Sequence, residues 1–197
     1  GYGEAGPYAD RPAYDDVIQG EAGMTDLFRL RDGEPAMVPS IAVDKGAATI
    51  AVGGILAAHI QRLKTGRGVY VEIPMFEAMV SFTLVEHQYG AAFRPPETPY
   101  GYARALSPFR RPHRTADGHI CMLAYTDRQW TAFWQLTTRP ELAAEPRFAT
   151  MAARSAHIGP LYEAAGQELA RRTTADWLDL LGRHEIPAGP ARTLEEV

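Results

Sequence analysis

The chain has 197 residues, of which 46% are hydrophobic and 22% charged, an ordinary composition for a soluble globular protein. Its net charge of -4 and isoelectric point near 5.9 provide no basic face for a nucleic-acid partner. The single cysteine, Cys121, excludes an internal disulfide framework. The longest apolar run, residues 47 to 58, is too short to cross a bilayer, and no signal-peptide pattern is present. We therefore expect a cytoplasmic protein with no nucleic-acid or membrane partner.

Predicted helices and turns alternate along the first ninety residues. Turn-forming residues dominate positions 1 to 12, a helix is predicted over 14–25, and residues 31 to 34 form a turn. Residues 38 to 75 read as a βαβ-like element, in which a helix lies between two apolar runs. Another helix is predicted over 76–90. Both ends of the chain lack clear start and stop signals, so we expect a piece of a longer protein.

Asp44 lies where the first apolar run of the βαβ-like element meets its helix. In open α/β sheets this edge is where ligands bind, and a helix amino terminus stabilises an ionised carboxylate. The same position suits a helix N-cap, a role that Asp often fills. The residue pattern therefore leaves a functional role and a capping role open.

Two consecutive glycines, Gly53 and Gly54, interrupt the predicted helix that follows Asp44. Each costs about 1 kcal/mol of helix stability relative to alanine. We therefore expect close packing against a neighbouring segment to compensate for them.

A segment rich in proline, residues 91 to 112, is predicted to be a linker. After it, the pattern predicts a strand over 119–124, a helix over 127–137 capped by Thr126, helices over 161–171 and 174–183, and an edge strand over 186–191. The predicted fold is α/β: an incomplete βαβ portion of a large domain over 1–90, the linker over 91–112, and a small α+β domain over 113–197.

Several kinds of site have no sequence signature here. The chain has no phosphate-binding loop, no dinucleotide fingerprint and no Gly-x-Ser-x-Gly elbow. Its six histidines lack metal-ligand spacing, so we expect no metal site. Cys121 lies in an apolar strand, which predicts a buried and inert thiol. A basic cluster, Arg110, Arg111, His113 and Arg114, is typical of a solvated loop, although it could meet a phosphate.

A series of short motifs runs the length of the chain. In order they are Gly1-Tyr2-Gly3, Gly6-Pro7-Tyr8, Arg11-Pro12-Ala13-Tyr14-Asp15, the Asp44 segment, Gly54-Ile55-Leu56-Ala57-Ala58, Thr65-Gly66-Arg67-Gly68, the run from Val71 to Ala78, Arg114-Thr115-Ala116-Asp117-Gly118, the run from Tyr125 to Trp130, and Ile186-Pro187-Ala188-Gly189-Pro190. Each is weak alone. Together and in this order they resemble the family III coenzyme A transferases, the group that includes the carnitine, bile-acid and formyl-CoA enzymes.

The resemblance implies that Asp44 is a covalent nucleophile for the transfer of coenzyme A between an acyl-CoA thioester and a carboxylic acid. A mixed anhydride and then an aspartyl-CoA thioester would divide the exchange into easier steps. Tyr14 and Met75 match positions that line the pantetheine and thioester region. Coenzyme A is then a substrate, and no separate cofactor is implied. The acyl donor and the acceptor acid are not identified by the sequence.

The resemblance also implies an interlinked homodimer of the full-length protein. Relative to the family, both ends of the domain are missing, so the activity is expected of the full-length parent and the 197-residue chain itself is expected to be inactive.

Two alternatives remain open. The α-methylacyl-CoA racemases share the fold and carry a histidine before an aspartate in the segment that corresponds to Ala13-Tyr14-Asp15, paired with an acid near Asp44. Tyr14 occupies the histidine position here, and tyrosine is a poor base near neutral pH, which favours a transferase. The second alternative is a folded piece that binds a partner chain without catalysis.

Overall fold

The structure, a computed structural model, describes all residues from 1 to 197. Its fold is α/β, with nine α-helices and one three-stranded antiparallel sheet. The chain divides into two compact units, Gly1–Tyr102 and Ala103–Val197. The assignment of residues 1–90, 91–112 and 113–197 to a large domain, a linker and a small domain stays a prediction.

The first unit is helical. Its helices are α1 (Asp15–Glu21), α2 (Met24–Asp32), α3 (Ala42–Thr65) and α4 (Met75–His87). The helix predicted over 14–25 is therefore two helices, and they meet at Gly23, whose φ of 79° is left-handed. Glycine adopts this conformation without a steric penalty, which allows the chain to turn there.

The predicted βαβ-like element over 38–75 is wrong in its strands. Its helix, α3, is present, but the segments on either side of it are not paired as strands. A strand needs a backbone hydrogen-bonding partner in a sheet, and neither segment has one in this chain. Instead, the side chains of Val71 and Ile73 pack on α3 at Gly54.

Close packing accounts for one of the two glycines in α3. A Cβ atom at Gly54 would lie 3.1 Å from side-chain atoms of both Val71 and Ile73, so a larger residue would force these side chains to move. At Gly53 nothing lies within 4 Å of the same position. The expected packing is thus confirmed at Gly54 and not at Gly53.

The long helix α3 is mostly exposed. Its 24 residues make it long and apolar enough to cross a membrane, whereas the sequence expectation counted only the run 47 to 58. The apolar helix is longer than the apolar run in the sequence, because a helix carries isolated polar residues, such as His59 and Gln61, within an otherwise apolar surface. Length and composition alone are weak evidence for a membrane span, so they do not assign α3 to a membrane. Its exposed apolar side chains are Ile50, Val52, Ile55, Leu56, Ile60 and Leu63.

The second unit contains the sheet. Its strands are β1 (His113–Arg114), β2 (His119–Met122) and β3 (Ala188–Pro190), in the order β1-β2-β3, and its helices are α5 (Ala103–Leu106), α6 (Asp127–Gln135), α7 (Met151–Ala156), α8 (Ile158–Leu169) and α9 (Thr174–Arg183). The predicted strand at 119–124, the edge strand near 186–191 and helix α9 are confirmed. Thr126 caps α6 as predicted, because its hydroxyl accepts the N–H of Gln129.

Each unit has its own apolar core. In the first, Ile18, Val43 and Met79 join α1, α3 and α4. In the second, three tryptophans and Phe133 form the centre of a larger cluster with α8 and α9. Buried aromatic side chains of this size dominate core energetics.

Candidate active site

A buried carboxylate, Asp15, organises the start of α3. Its Oδ2 accepts the backbone N–H of Val43 at 2.8 Å and that of Asp44 at 3.1 Å. These groups belong to the first turn of α3, where N–H groups have no partner inside the helix. Asp15, the first residue of α1, therefore caps α3 from a neighbouring helix.

Gln19, one helical turn after Asp15, extends this network. Its Nε2 donates to Asp15 Oδ1 at 2.6 Å and to the carbonyl of Ser40 at 3.3 Å. Its Oε1 accepts the N–H of Val38 at 2.9 Å. One buried amide thus holds the capping carboxylate and the loop that leads into α3, so the backbone that carries Asp44 is fixed from two sides.

Asp15 is ionised in this network. Burial raises the pKa of its carboxyl group, but hydrogen bonds from Gln19 and from the N–H groups of Asp44 and Val43, with the charge of Lys45, outweigh burial. The net pKa lies below the ordinary value for aspartate, because these donors stabilise the charged form.

Asp44 is the third residue of α3, and its side chain is exposed. The N-cap position is occupied by Ile41, which supplies no side-chain cap, so the capping alternative for Asp44 is wrong. The side chain of Asp44 makes no hydrogen bond or ion pair with another residue of the chain, whereas its backbone N–H donates to Asp15. A free carboxylate thus lies at the positive end of the helix dipole.

Met75 and Tyr14 are related in different ways to the residues around Asp44. Met75 begins α4 and packs on the apolar cluster that contains Val43, the residue before Asp44. Tyr14 immediately precedes Asp15 and is 83% exposed. The structure therefore brings Met75 and Val43 into one cluster and leaves the ring of Tyr14 accessible.

Helices α3 and α4 approach closely two residues beyond Asp44. A Cβ atom at Gly46 would lie 3.0 Å from Cε of Met79 and 3.4 Å from its sulfur. Gly46 thus allows the buried Met79 to pack directly against the first turns of α3. This contact ties the start of α4, where Met75 lies, to the helix that carries Asp44.

The sequence model of CoA-transferase family III matches residues 1–197. The chain belongs to this family. It is 31% identical over 206 residues to the "Probable fatty acyl-CoA transferase Rv3272" of Mycobacterium tuberculosis, with 100% of this chain and 52% of that protein covered. It is 27% identical over 200 residues to the acetyl-CoA:oxalate CoA-transferase of Acetobacter aceti, with 100% of this chain and 51% of that protein covered.

Structural similarity agrees with this membership in family III. A crystal structure of Rv3272 from M. tuberculosis matches 98% of this chain with a TM-score of 0.79 and 28% identity, and 50% of that chain is covered. The chain spans about half the length of the curated relatives it matches.

Gln19 and the capping role of Asp15 were missed by the sequence interpretation of this family III chain. Residues four apart on a helix face each other, so Asp15 and Gln19 could have been paired from the sequence. Nothing in the sequence, however, indicates that the pair faces residues 43 and 44, which are 28 and 29 positions away from Asp15.

Proposed function

We propose that the family III protein containing this chain transfers coenzyme A between an acyl-CoA thioester and a carboxylic acid, with Asp44 as the covalent nucleophile. The observation that carries the proposal is the free carboxylate of Asp44 in the first turn of α3, on a backbone held by Asp15. Membership of the family supports the transfer of coenzyme A, and the matching motif supports the choice of Asp44.

The exchange of coenzyme A proceeds in two steps for the donor and two for the acceptor. A carboxylate oxygen of Asp44 attacks the thioester carbonyl carbon, the C–S bond breaks, and coenzyme A leaves as a thiolate from the mixed anhydride. The thiolate then attacks the Asp44 carbonyl carbon of the anhydride, which releases the donor acid and forms an aspartyl-CoA thioester. The acceptor carboxylate repeats these two steps in reverse order, takes the coenzyme A and frees Asp44.

The oxyanions in these steps need hydrogen-bond donors. The N–H groups of Val43 and Asp44 already donate to Asp15, so they are occupied in this arrangement. Asp15 therefore acts as a positioning residue that fixes the helix start, and the oxyanion takes its donors from other groups. The dipole of α3 favours negative charge at this end of the helix.

Coenzyme A itself is the substrate in this proposal, and no cofactor or metal takes part. The exposed ring of Tyr14 and the side chain of Met75 are the contacts that we propose for the pantetheine and thioester region. Because no metal is involved, a chelator is expected to leave the transfer rate unchanged.

We also propose that the intact protein is an interlinked homodimer in the cytoplasm, with no nucleic-acid or membrane partner. The exposed apolar side chains of α3 support the homodimer, because exposed apolar surface is typical of a protein interface. In this homodimer, residues that lie outside this 197-residue chain cover the apolar surface of α3.

The test compares Asp44→Asn with Asp16→Asn, which removes an exposed carboxylate from α1, in the intact protein. Asp44→Asn is expected to reduce the rate of coenzyme A transfer by about a thousandfold or more, as in other enzymes that lose their nucleophile. Asp16→Asn is expected to leave the rate unchanged. Retained transfer in Asp44→Asn would contradict the proposal. Solvent deuterium entering the α-carbon of the acyl group, without transfer, would instead establish the racemase.

A further inference from the structure

The second unit holds a cavity whose lining includes none of the residues assigned to the proposed reaction. It has a volume of about 540 Å³, within the range of small-molecule sites. All of its lining residues belong to Ala103–Val197, the second unit. They come from the segment before β1, from β2 and the residues after it, from α8 and from the start of β3. A neighbouring cavity of about 270 Å³ shares Arg111, His113 and Tyr162 with it.

One side of the cavity is cationic. Arg110 and Arg111 line it, both are exposed, and neither side chain forms an ion pair with a carboxylate of the chain. No acidic residue lines the larger cavity, although Glu163 lines the smaller one. Arginine presents a planar set of N–H donors that matches a carboxylate, so unpaired guanidinium groups at a cavity mouth favour an anionic ligand.

A buried polar group without a partner lies in the same wall. Tyr162 on α8 is only 4% exposed, and its hydroxyl group has no hydrogen-bond partner in the chain. Buried hydroxyl groups are normally paired, because an unmade hydrogen bond costs free energy. A ligand oxygen that displaced the atoms covering this hydroxyl would supply the missing partner.

His113 adds a second polar group between the two cavities. Burial lowers the pKa of its imidazole, and the charge of Arg111 lowers it further, so the ring is neutral near pH 7. Gly166 of α8 lets the ring approach, since a Cβ atom there would lie 2.9 Å from Nδ1 of His113. A neutral imidazole can both donate and accept a hydrogen bond.

The remaining wall is apolar. Met122 and Leu123 at the end of β2, and Pro187 and Ala188 at β3, line it. A polar anion such as free phosphate would leave this surface without a contact. An acyl chain would cover this surface, so the cavity favours a carboxylate with an apolar chain over free phosphate.

We propose that this cavity binds a carboxylic acid with an apolar chain, whose carboxylate contacts Arg110, Arg111 and the hydroxyl of Tyr162 while its chain lies on Met122 and Leu123. The basic cluster is then a binding element of the second unit rather than only a solvated loop. The proposal does not depend on coenzyme A transfer, because binding is measured without turnover.

Cys121 reports on this site. It lines the cavity and is exposed, so the sequence prediction of a buried thiol is wrong: alternation along β2 turns Ile120 to the core and Cys121 away from it. It is the only cysteine in the chain. Its rate of alkylation by iodoacetamide therefore measures access to the cavity.

The test follows alkylation of Cys121 in the intact protein by peptide mass spectrometry, with octanoate, octan-1-ol or inorganic phosphate present. Saturating octanoate is expected to slow alkylation about fivefold or more, and the other two to leave it unchanged. In Arg110→Gln/Arg111→Gln, the concentration of octanoate that gives half protection should rise at least tenfold. Arg183→Gln, at an exposed ion pair on α9, serves as the control and should behave like the wild type.

Tyr162→Phe provides an independent measure, because it removes only the hydroxyl group. It is expected to raise the half-protective concentration of octanoate several-fold. The proposal is overturned if octanoate gives no protection, if octan-1-ol or phosphate protects equally, or if the double arginine variant is protected as well as the wild type.

Discussion

Two carboxylates divide two tasks at the start of α3. Asp15 accepts the N–H groups of Val43 and Asp44, and Asp44 is left with free oxygens. If Asp44 capped its own helix, a hydrogen bond would hold the group that we propose attacks the thioester. At the scale of single residues, Asp15 therefore fixes the start of α3, and the side chain of Asp44 is left free for the proposed chemistry.

Removing the cap provided by Asp15 is expected to destabilise the first unit. Asp15→Ala should lower the free energy of unfolding by about 1–2 kcal/mol, because two N–H groups of α3 lose their acceptor. Asp15→Asn should cost less, since an amide oxygen can still accept. Urea denaturation measures both variants against Asp16→Ala, and equal stability of Asp15→Ala and Asp16→Ala would refute the capping role.

The ionised state of Asp15 predicts a pH dependence. Its folded pKa is depressed, so its contribution to stability is complete above the unfolded pKa, near 4, and is lost as the pH falls through the folded pKa. Wild type should therefore lose more stability than Asp15→Asn between pH 6 and acid conditions below about pH 4. Denaturation curves across this range test it; parallel losses in both proteins would show that Asp15 does not titrate with folding.

At the scale of elements, local sequence signals were sufficient to predict a helix whose start is capped by the side chain that directly precedes it. Thr126 and Thr173 cap α6 and α9 within three residues of each helix start, and both helices were predicted. The strands predicted on either side of α3 failed because strand formation depends on a partner that local sequence does not specify. The role of Asp44 was predicted from its motif and stays a prediction, whereas the support of its backbone by Asp15 and Gln19 depends on the packing of α1 on α3.

The paired glycines of α3 offer a matched test of element packing. Gly53→Ala should stabilise the 197-residue chain by roughly 0.5–1 kcal/mol, because alanine favours the helix and the position is open. Gly54→Ala should lack this gain, because the added methyl group meets Val71 and Ile73 at 3.1 Å. Thermal unfolding compares the two variants, and an equal gain at Gly54 would contradict the described packing.

At the scale of the whole molecule, the exposed apolar face of α3 is the feature that a single copy of this chain does not explain. The chain spans about half of its curated relatives, and the residues on this face are apolar along most of a 24-residue helix. A homodimer of the intact protein would remove this surface from water, which is the main favourable term in association.

A charge on this face is expected to weaken the proposed homodimer. Leu56→Glu, at a side chain that is 56% exposed in this chain, should shift the intact protein toward monomer in light scattering coupled to gel filtration. Gln61→Glu adds the same charge at an exposed polar position of α3 and should remain dimeric. A dimer unaffected by Leu56→Glu would place the interface elsewhere.

The role proposed for Asp44 as covalent nucleophile can be measured directly. The intact protein is incubated with acyl-CoA, the intermediate is trapped with hydroxylamine, and the modification is located by peptide mass spectrometry. We expect a hydroxamate on Asp44 that forms only with acyl-CoA and is absent from Asp44→Asn. Transfer of coenzyme A without any modification at Asp44 would contradict it.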